Sequence, residues 1–185
     1  HHSSGLATMG FGPAAVLGGK VAAPDRMVWN LTGDGGFGIN PSVMATAVEQ
    51  GIACTWIVMN NSAFGTIAGL ENANYNTKFG TVFHTPDGES YTPHWAGVAK
   101  EYGVDSICIS SADELKGALE AALAANKAGK PFLVEIPMEN IVVPTPGCWN
   151  INDIYSPNEL VKEGKLVKKE NGRYVAPSHA KSHNA

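Results

Sequence analysis

The sequence predicts an α/β protein, a doubly wound parallel sheet with helices on both faces, and three observations carry that prediction. Four mostly apolar runs, residues 27–31, 54–59, 105–109 and 132–136, are short enough for strands and too continuous to leave one face in water. Helical patterns separate them, which is the alternation expected of parallel strands joined by crossovers. Two polar turns, Gly33-Asp34-Gly35 and Asn60-Asn61, follow the first two runs. In an open parallel sheet the loops beyond the carboxyl ends of the strands line the ligand crevice.

Taken in order, residues 10–22 are rich in alanine and glycine, stop before Pro24 and predict a close-packed helix. Pro13 is tolerated in its first turn, where its N–H would have no partner. After the strand at 27–31, Asn40 is placed to cap a helix that starts at Pro41 and runs to Gln50, with Gly51 as its stop. The strand at 54–59 follows. Residues 72–92 then dissolve into Asn, Thr, Gly, Pro and aromatic side chains, and loops of this length in a compact domain are usually functional or mobile. Tyr75, Phe79, His84 and His94 are its candidates for substrate contacts, weighed against ordinary surface positions. For His94, between Pro93 and an amphipathic segment at 95–102, capping or packing is the competing reading. A strand at 105–109, a helix at 112–127 and a strand at 132–136 complete the alternation. Asp113 and Glu114 near the start of that helix and Lys127 near its end suit the macrodipole.

The residues thus divide into a domain at 1–137 and an extended C-terminal tail at 138–185. In the tail Pro144, Pro146, Gly147 and Pro157 precede a Lys/Glu stretch, and Trp149 and Tyr155 are candidate anchors against a neighbour or a bound ligand.

A chain of 185 residues is long enough for one sizeable core. Thirteen basic and seventeen acidic residues give a net charge of -4, and the only basic cluster, residues 162–173, interleaves acids, so nucleic acid is not an expected partner. No apolar run is long enough to span a membrane, and no signal-peptide pattern is present. Cys54, Cys108 and Cys148 are too few and too scattered for a disulfide framework or a zinc site. Cys54 and Cys108, which lie in strand runs, read as buried small apolar residues, consistent with a reducing cytoplasm. His1-His2 is either a tag remnant or native sequence, and the second reading is favoured because Ser4-Gly5 runs on into the segment discussed below.

Residues 33–38, Gly-Asp-Gly-Gly-Phe-Gly, match the G-x-G-x-x-G fingerprint of dinucleotide-binding domains, a weak signal alone. Asp34 argues against a Rossmann-type NAD-binding oxidoreductase. A carboxylate ~4 Å from a diphosphate oxygen costs roughly 4 kcal/mol per charge pair at an effective dielectric near 20, unless a divalent cation lies between them. The dinucleotide reading also wants an acid after the next strand, where this chain has Asn60 and Asn61. Amide oxygens suit a hard cation.

These residues resemble the thiamine diphosphate enzymes of the acetolactate synthase and pyruvate decarboxylase type. In that family a Gly-Asp-Gly is followed after a fixed gap by Asn-Asn, and Asp34 and Asn61 stand at the family's spacing. The resemblance extends to residues 4–12, Ser-Gly-Leu-Ala-Thr-Met-Gly-Phe-Gly, similar to the segment that grips the aminopyrimidine ring, and covers roughly residues 3–137.

The resemblance implies thiamine diphosphate and Mg2+ as cofactors, with Asp34, Asn61 and the Ala63 carbonyl as metal ligands. Gly33, Gly35, Gly36, Phe64, Gly65 and Thr66 would line the diphosphate, their backbone approaching it where side chains are small. Gly36 departs from relatives that carry a serine there. Ala7, Thr8 and Met9 would hold the pyrimidine edge, and Met9 would support the bent cofactor. The implied reaction is decarboxylation or carboligation of a 2-keto acid, with the thiazolium taking up electrons. An activating glutamate is expected on a separate pyrimidine-binding domain, from another segment or a partner chain in a homodimer or homotetramer. The diphosphate domain's first strand is likewise expected upstream of residue 1, which suggests a C-terminal part of a longer protein or one subunit of a split enzyme. The competing possibilities are the oxidoreductase and a non-catalytic subunit that keeps the fold for assembly. The glutamine-tryptophan pattern expected of biosynthetic acetolactate synthases is not found in residues 72–92, so that enzyme is one candidate among several.

Overall fold

The computed structural model describes residues 8–140, 161–164, 166–168, 174, 175 and 177. Helix α1, Phe11–Ala22, starts after Gly10, whose φ of 86° only glycine adopts freely. Strand β1, Trp29–Gly33, runs straight into the short helix α2, Asp34–Gly38. Helix α3, Val43–Glu49, leads to β2, Thr55–Asn60, then to α4, Gly65–Tyr75. Helix α5, Trp95–Glu101, precedes β3, Asp105–Cys108. A 3-10 turn at Ala112–Glu114 opens α6, Leu115–Lys127, and β4, Phe132–Pro137, closes the alternation.

The four strands form one parallel sheet in the order β1-β2-β4-β3. Its register sets Gly33 beside Met59 and Asn60 beside Pro137, so the turns that follow β1 and β2 open at the same edge. One face is covered by α1, α2, α3 and α5. Phe37 sits at its centre, edge-on to Trp56 and Trp95 with ring centroids 6.4 and 5.2 Å away. Trp56 also donates its indole N–H to the Pro13 carbonyl at 3.0 Å, tying α1 to the central strand. On the other face Ala118 and Ala122 of α6 pack on Phe132 and Val134. Asn126 joins α6 to β2 by accepting from the Thr55 hydroxyl at 2.8 Å and donating to the Cys54 carbonyl at 3.2 Å.

Burial of every strand on both faces does not hold for β1. Trp29 and Leu31 are 38% and 63% exposed, because β1 is an edge strand and α6 lies across β3 and β4. The strand also starts two residues later than its apolar run, since pairing begins at Trp29 beside Thr55. Asn40 makes no side-chain cap. Its side-chain oxygen accepts the Ser42 hydroxyl at 2.7 Å, and α3 begins at Val43. Helix α4 carries regular structure through Tyr75, so the irregular region begins at Asn76, in the left-handed conformation at φ 50°. Within it Val82 bridges Ala63, and Ser90 bridges His84.

Past Pro137, Val167–Lys168 (β5) pairs antiparallel with Tyr174–Val175 (β6), a short strand pair where the composition suggested only extended chain. His1, His2, Cys148, Trp149 and Tyr155 lie outside the described residues. Among the described residues no helix is long and apolar enough to cross a membrane.

Candidate functional site

The carboxyl edge of the sheet carries a cleft of about 720 Å³. Met9, Gly33, Asp34, Gly35 and Gly36 line it from the α1 and β1 side. Asn61, Ala63, Phe64, Gly65 and Thr66 line it from the β2 side. Ten of the twelve residues singled out from sequence therefore meet in one place. Of the other two, Thr8 is exposed and its carbonyl accepts the Phe11 N–H at 3.2 Å, whereas Ala7 lies outside the described residues. The sequence did not single out Met59, Ile67 or Met138, which complete the walls. Alternation along β2 carries a signal for Met59, but Met138 reaches the cleft only because its N–H is held by the Asn60 carbonyl at 2.7 Å.

At one end of the cleft three oxygen-bearing groups converge. Asp34 is the first residue of α2 and only 2% exposed. The inward atom of the Asn61 amide lies 3.1 Å from Asp34 Oδ1 and 3.0 Å from the Ala63 carbonyl oxygen. With nitrogen in that position the amide donates to both. With oxygen there, three acceptors crowd together, an arrangement that a cation stabilises. Magnesium–oxygen distances near 2.0–2.1 Å put adjacent octahedral ligands about 2.9 Å apart, close to this spacing. The donor set therefore fits a hard divalent ion.

Electrostatics point the same way. Burial pushes the Asp34 carboxyl above its ordinary range, and the N–H groups of Gly35, Ala63 and Ser62 only partly offset that effect. Among the described residues Asp34 Oδ2 has no hydrogen-bond partner. A buried carboxylate with an orphaned oxygen is a costly arrangement that a metal ion would relieve. Between Asn61 and Ala63, Ser62 is held at φ 54°, an uncommon conformation for a residue with a side chain.

Asn60, paired with Asn61 in the sequence argument, faces elsewhere. Its amide nitrogen donates to Glu135 Oε1 at 2.8 Å, and its oxygen accepts the Ser62 N–H at 3.3 Å. It supports the turn without entering the cleft.

The glycines make room. A Cβ on Gly35 would lie 2.5 Å from the Phe64 ring and 3.0 Å from the Met9 terminal carbon, and one on Gly65 would lie 2.6 Å from the Asn61 amide. A Cβ on Gly36 would stand 2.8 Å from the Thr32 hydroxyl, so a serine there would crowd that hydroxyl. Phe64 stacks edge-on to Phe83 at 4.7 Å and separates the cleft from a smaller recess of about 250 Å³ lined by Phe83, Thr92, Pro93 and Trp95. Of the loop candidates, Tyr75, Phe79 and His84 are exposed and line neither space, while His94 turns toward Glu135.

Residues 1–136 match the model of the family described as thiamine pyrophosphate enzyme, C-terminal TPP binding domain. A probable acetolactate synthase large subunit of Methanocaldococcus jannaschii is 37% identical over 148 residues, covering 78% of this chain and 24% of that protein. A 3D-(3,5/4)-trihydroxycyclohexane-1,2-dione hydrolase of Bacillus licheniformis is 34% identical over 122 residues, 66% of this chain and 19% of the relative. In fold, the thiamine diphosphate-dependent 4-hydroxybenzoylformate decarboxylase of Rhodococcus jostii RHA1 superposes with a TM-score of 0.59 at 29% identity, over 71% of this chain and 23% of that one. The chain thus spans about a quarter or less of the length of each. A dinucleotide-binding oxidoreductase gives way before these matches, and the chain belongs to the thiamine pyrophosphate enzymes, as their C-terminal TPP-binding domain.

Proposed function

We propose that this domain, residues 1–137, holds thiamine diphosphate through a magnesium ion, in an enzyme that decarboxylates or joins 2-keto acids in the acetolactate synthase manner. The convergence of Asp34 Oδ1, the Asn61 amide and the Ala63 carbonyl within 3.1 Å carries the reading. In it, Asp34, Asn61 and Ala63 are the protein ligands of the ion, and water and diphosphate oxygens take the other positions. The N–H groups of Gly35 and Gly36 in the first turn of α2, and of Gly65 and Thr66 in the first turn of α4, bind the phosphates. Helix N-termini favour negative charge there.

Met9, beside Gly35 at the cleft wall, supports the rings of the cofactor, with Ala7 and Thr8 along the pyrimidine edge. The cofactor itself supplies the electron sink for the carbanion left by decarboxylation. A pyrimidine-binding domain, from the same protein or a partner subunit of a homodimer or homotetramer, contributes the activating acid. The two described cysteines are free, in keeping with a reducing cytoplasm as the place of action.

Calorimetric titration of the chain with thiamine diphosphate, with and without magnesium, tests the reading, with NADH as the comparison ligand. Magnesium-dependent binding of thiamine diphosphate alone is expected. Equal binding with and without the ion, or binding of NADH in preference, would overturn it.

A further inference from the structure

Away from the cleft wall, a second group of metal-binding side chains is assembled by the sheet register. Cys108, the last residue of β3, pairs directly with Glu135 of the neighbouring strand β4. His94, immediately before α5, brings its Nε2 to 3.6 Å from Glu135 Oε2. One ligand atom from each of the three lies within 4.8 Å of the others. We propose that His94, Cys108 and Glu135 form a binding site for a borderline divalent cation of the zinc class.

The ligand set decides the class. Imidazole nitrogen, thiolate sulfur and carboxylate oxygen together suit zinc, whereas magnesium selects oxygen alone. Three protein ligands leave a fourth tetrahedral position for water, and the 67% exposure of the His94 side chain opens that side to solvent. Glu135 is 2% exposed, and among the described residues the His94 imidazole stands 3.6 Å from its carboxylate. Buried carboxylates are ordinarily paired with a cation or a metal. Asn60 and the Ala96 N–H each take a position on one carboxylate oxygen, at 2.8 Å, and the Cys108 thiol also hydrogen-bonds the carboxylate, a contact an ion would replace when the thiol proton leaves.

The framework is rigid. Two ligands project from adjacent paired strands, and the third is seated by a glycine. A Cβ at Gly97 would lie 2.8 Å from His94 Nδ1, so the first turn of α5 accepts the imidazole only because residue 97 has no side chain. Without a metal, burial and the Glu135 charge both raise the Cys108 thiol above its ordinary range. Binding the ion reverses that balance, forms the metal–sulfur bond and releases the thiol proton to solvent. None of its three residues lines the cleft, so the two sites share no ligand, although Glu135 also braces Asn60 in the turn beside the cleft.

Cobalt(II) absorption on the full chain tests the proposal, because a thiolate–cobalt charge-transfer band reports sulfur ligation and ignores histidines in the terminal segments. A saturable band that zinc displaces is expected. Cys108→Ser should abolish it and Cys148→Ser should preserve it. His94→Ala, an exposed change, and Gly97→Ala, which displaces the ring while favouring the helix, should each move the cobalt midpoint upward by about 10-fold or more. Absence of the band, its survival in Cys108→Ser, its loss in Cys148→Ser, or an unmoved midpoint in His94→Ala would overturn the proposal.

Discussion

Asn60 and Glu135, 75 residues apart in sequence, are joined by a 2.8 Å hydrogen bond within the core. The bond fixes which end of the Asn60 amide faces the Ser62 N–H, and therefore shapes the turn that carries Asn61 and Ala63. Through Ala96, whose N–H Glu135 also accepts, the same carboxylate anchors the first turn of α5. A buried acid thus connects the turn at the proposed magnesium site to the helix packed behind it.

Asn60→Ala removes the donor and leaves one oxygen of a buried carboxylate unsatisfied. The expected loss of stability is about 1–3 kcal/mol, read as a lower urea midpoint. Magnesium-dependent cofactor affinity should fall as well, because the Ser62 turn loses its brace. A variant as stable as the parent would show that Glu135 finds another donor and that Asn60 does not organise the turn.

Asp34→Asn separates charge from shape. Burial raises the pKa of this carboxyl, so ionising it costs the metal-free fold, and the neutral amide relieves that cost. The metal-free variant should melt no lower than the parent at neutral pH, while magnesium-dependent binding of thiamine diphosphate disappears. Retained affinity would remove Asp34 from the ligand set.

Gly35→Ala tests close approach at the cleft wall. The new methyl would stand 2.5 Å from the Phe64 ring and 3.0 Å from the Met9 terminal carbon, and relief requires the ring to shift and Met9 to give way as well. Overpacking of this kind costs about 1–3 kcal/mol. Thermal unfolding should show the loss, accompanied by weaker cofactor binding, and an unchanged melting temperature would mean that Phe64 yields freely.

Much of the site was legible in sequence because a strand followed at once by a tight turn fixes where the next side chain emerges. Asp34 and Asn61 fall just past neighbouring parallel strands, and nothing in between can alter their meeting. The supporting layer was less legible. Glu135 stands within an apolar strand run, which marks it as a buried charge in need of a partner, but its partners at 60, 94 and 96 come from other segments that only the β2-β4-β3 order brings near. The same long-range pairing hid the cluster at His94 and Cys108, whose sequence spacing carries no metal-binding pattern. Exposure of Trp29 and Leu31 was missed for a related reason: an apolar run does not reveal whether its strand lies at an edge.

Cys54 gives the fold a signature at high pH. It is wholly buried, and desolvation lifts its thiol from an ordinary value of 9.0 to about 12. In the unfolded chain the thiol ionises near 9.0, whereas in the folded chain it stays neutral to about 12. The stability this group contributes is therefore fully present below pH 9 and is lost as pH rises toward 12. Cys54→Ala removes that dependence. Urea unfolding at a series of pH values from 8 upward should give a shallower decline for the variant than for the parent, even though the variant starts lower at pH 8 from the small void it leaves. Thiol labelling offers an independent check, since Cys54 should react only after unfolding. Parallel declines for the two proteins, or rapid native-state labelling at position 54, would place the thiol in contact with solvent and contradict the packing of Cys54, just before β2, into the core with α1 and α3.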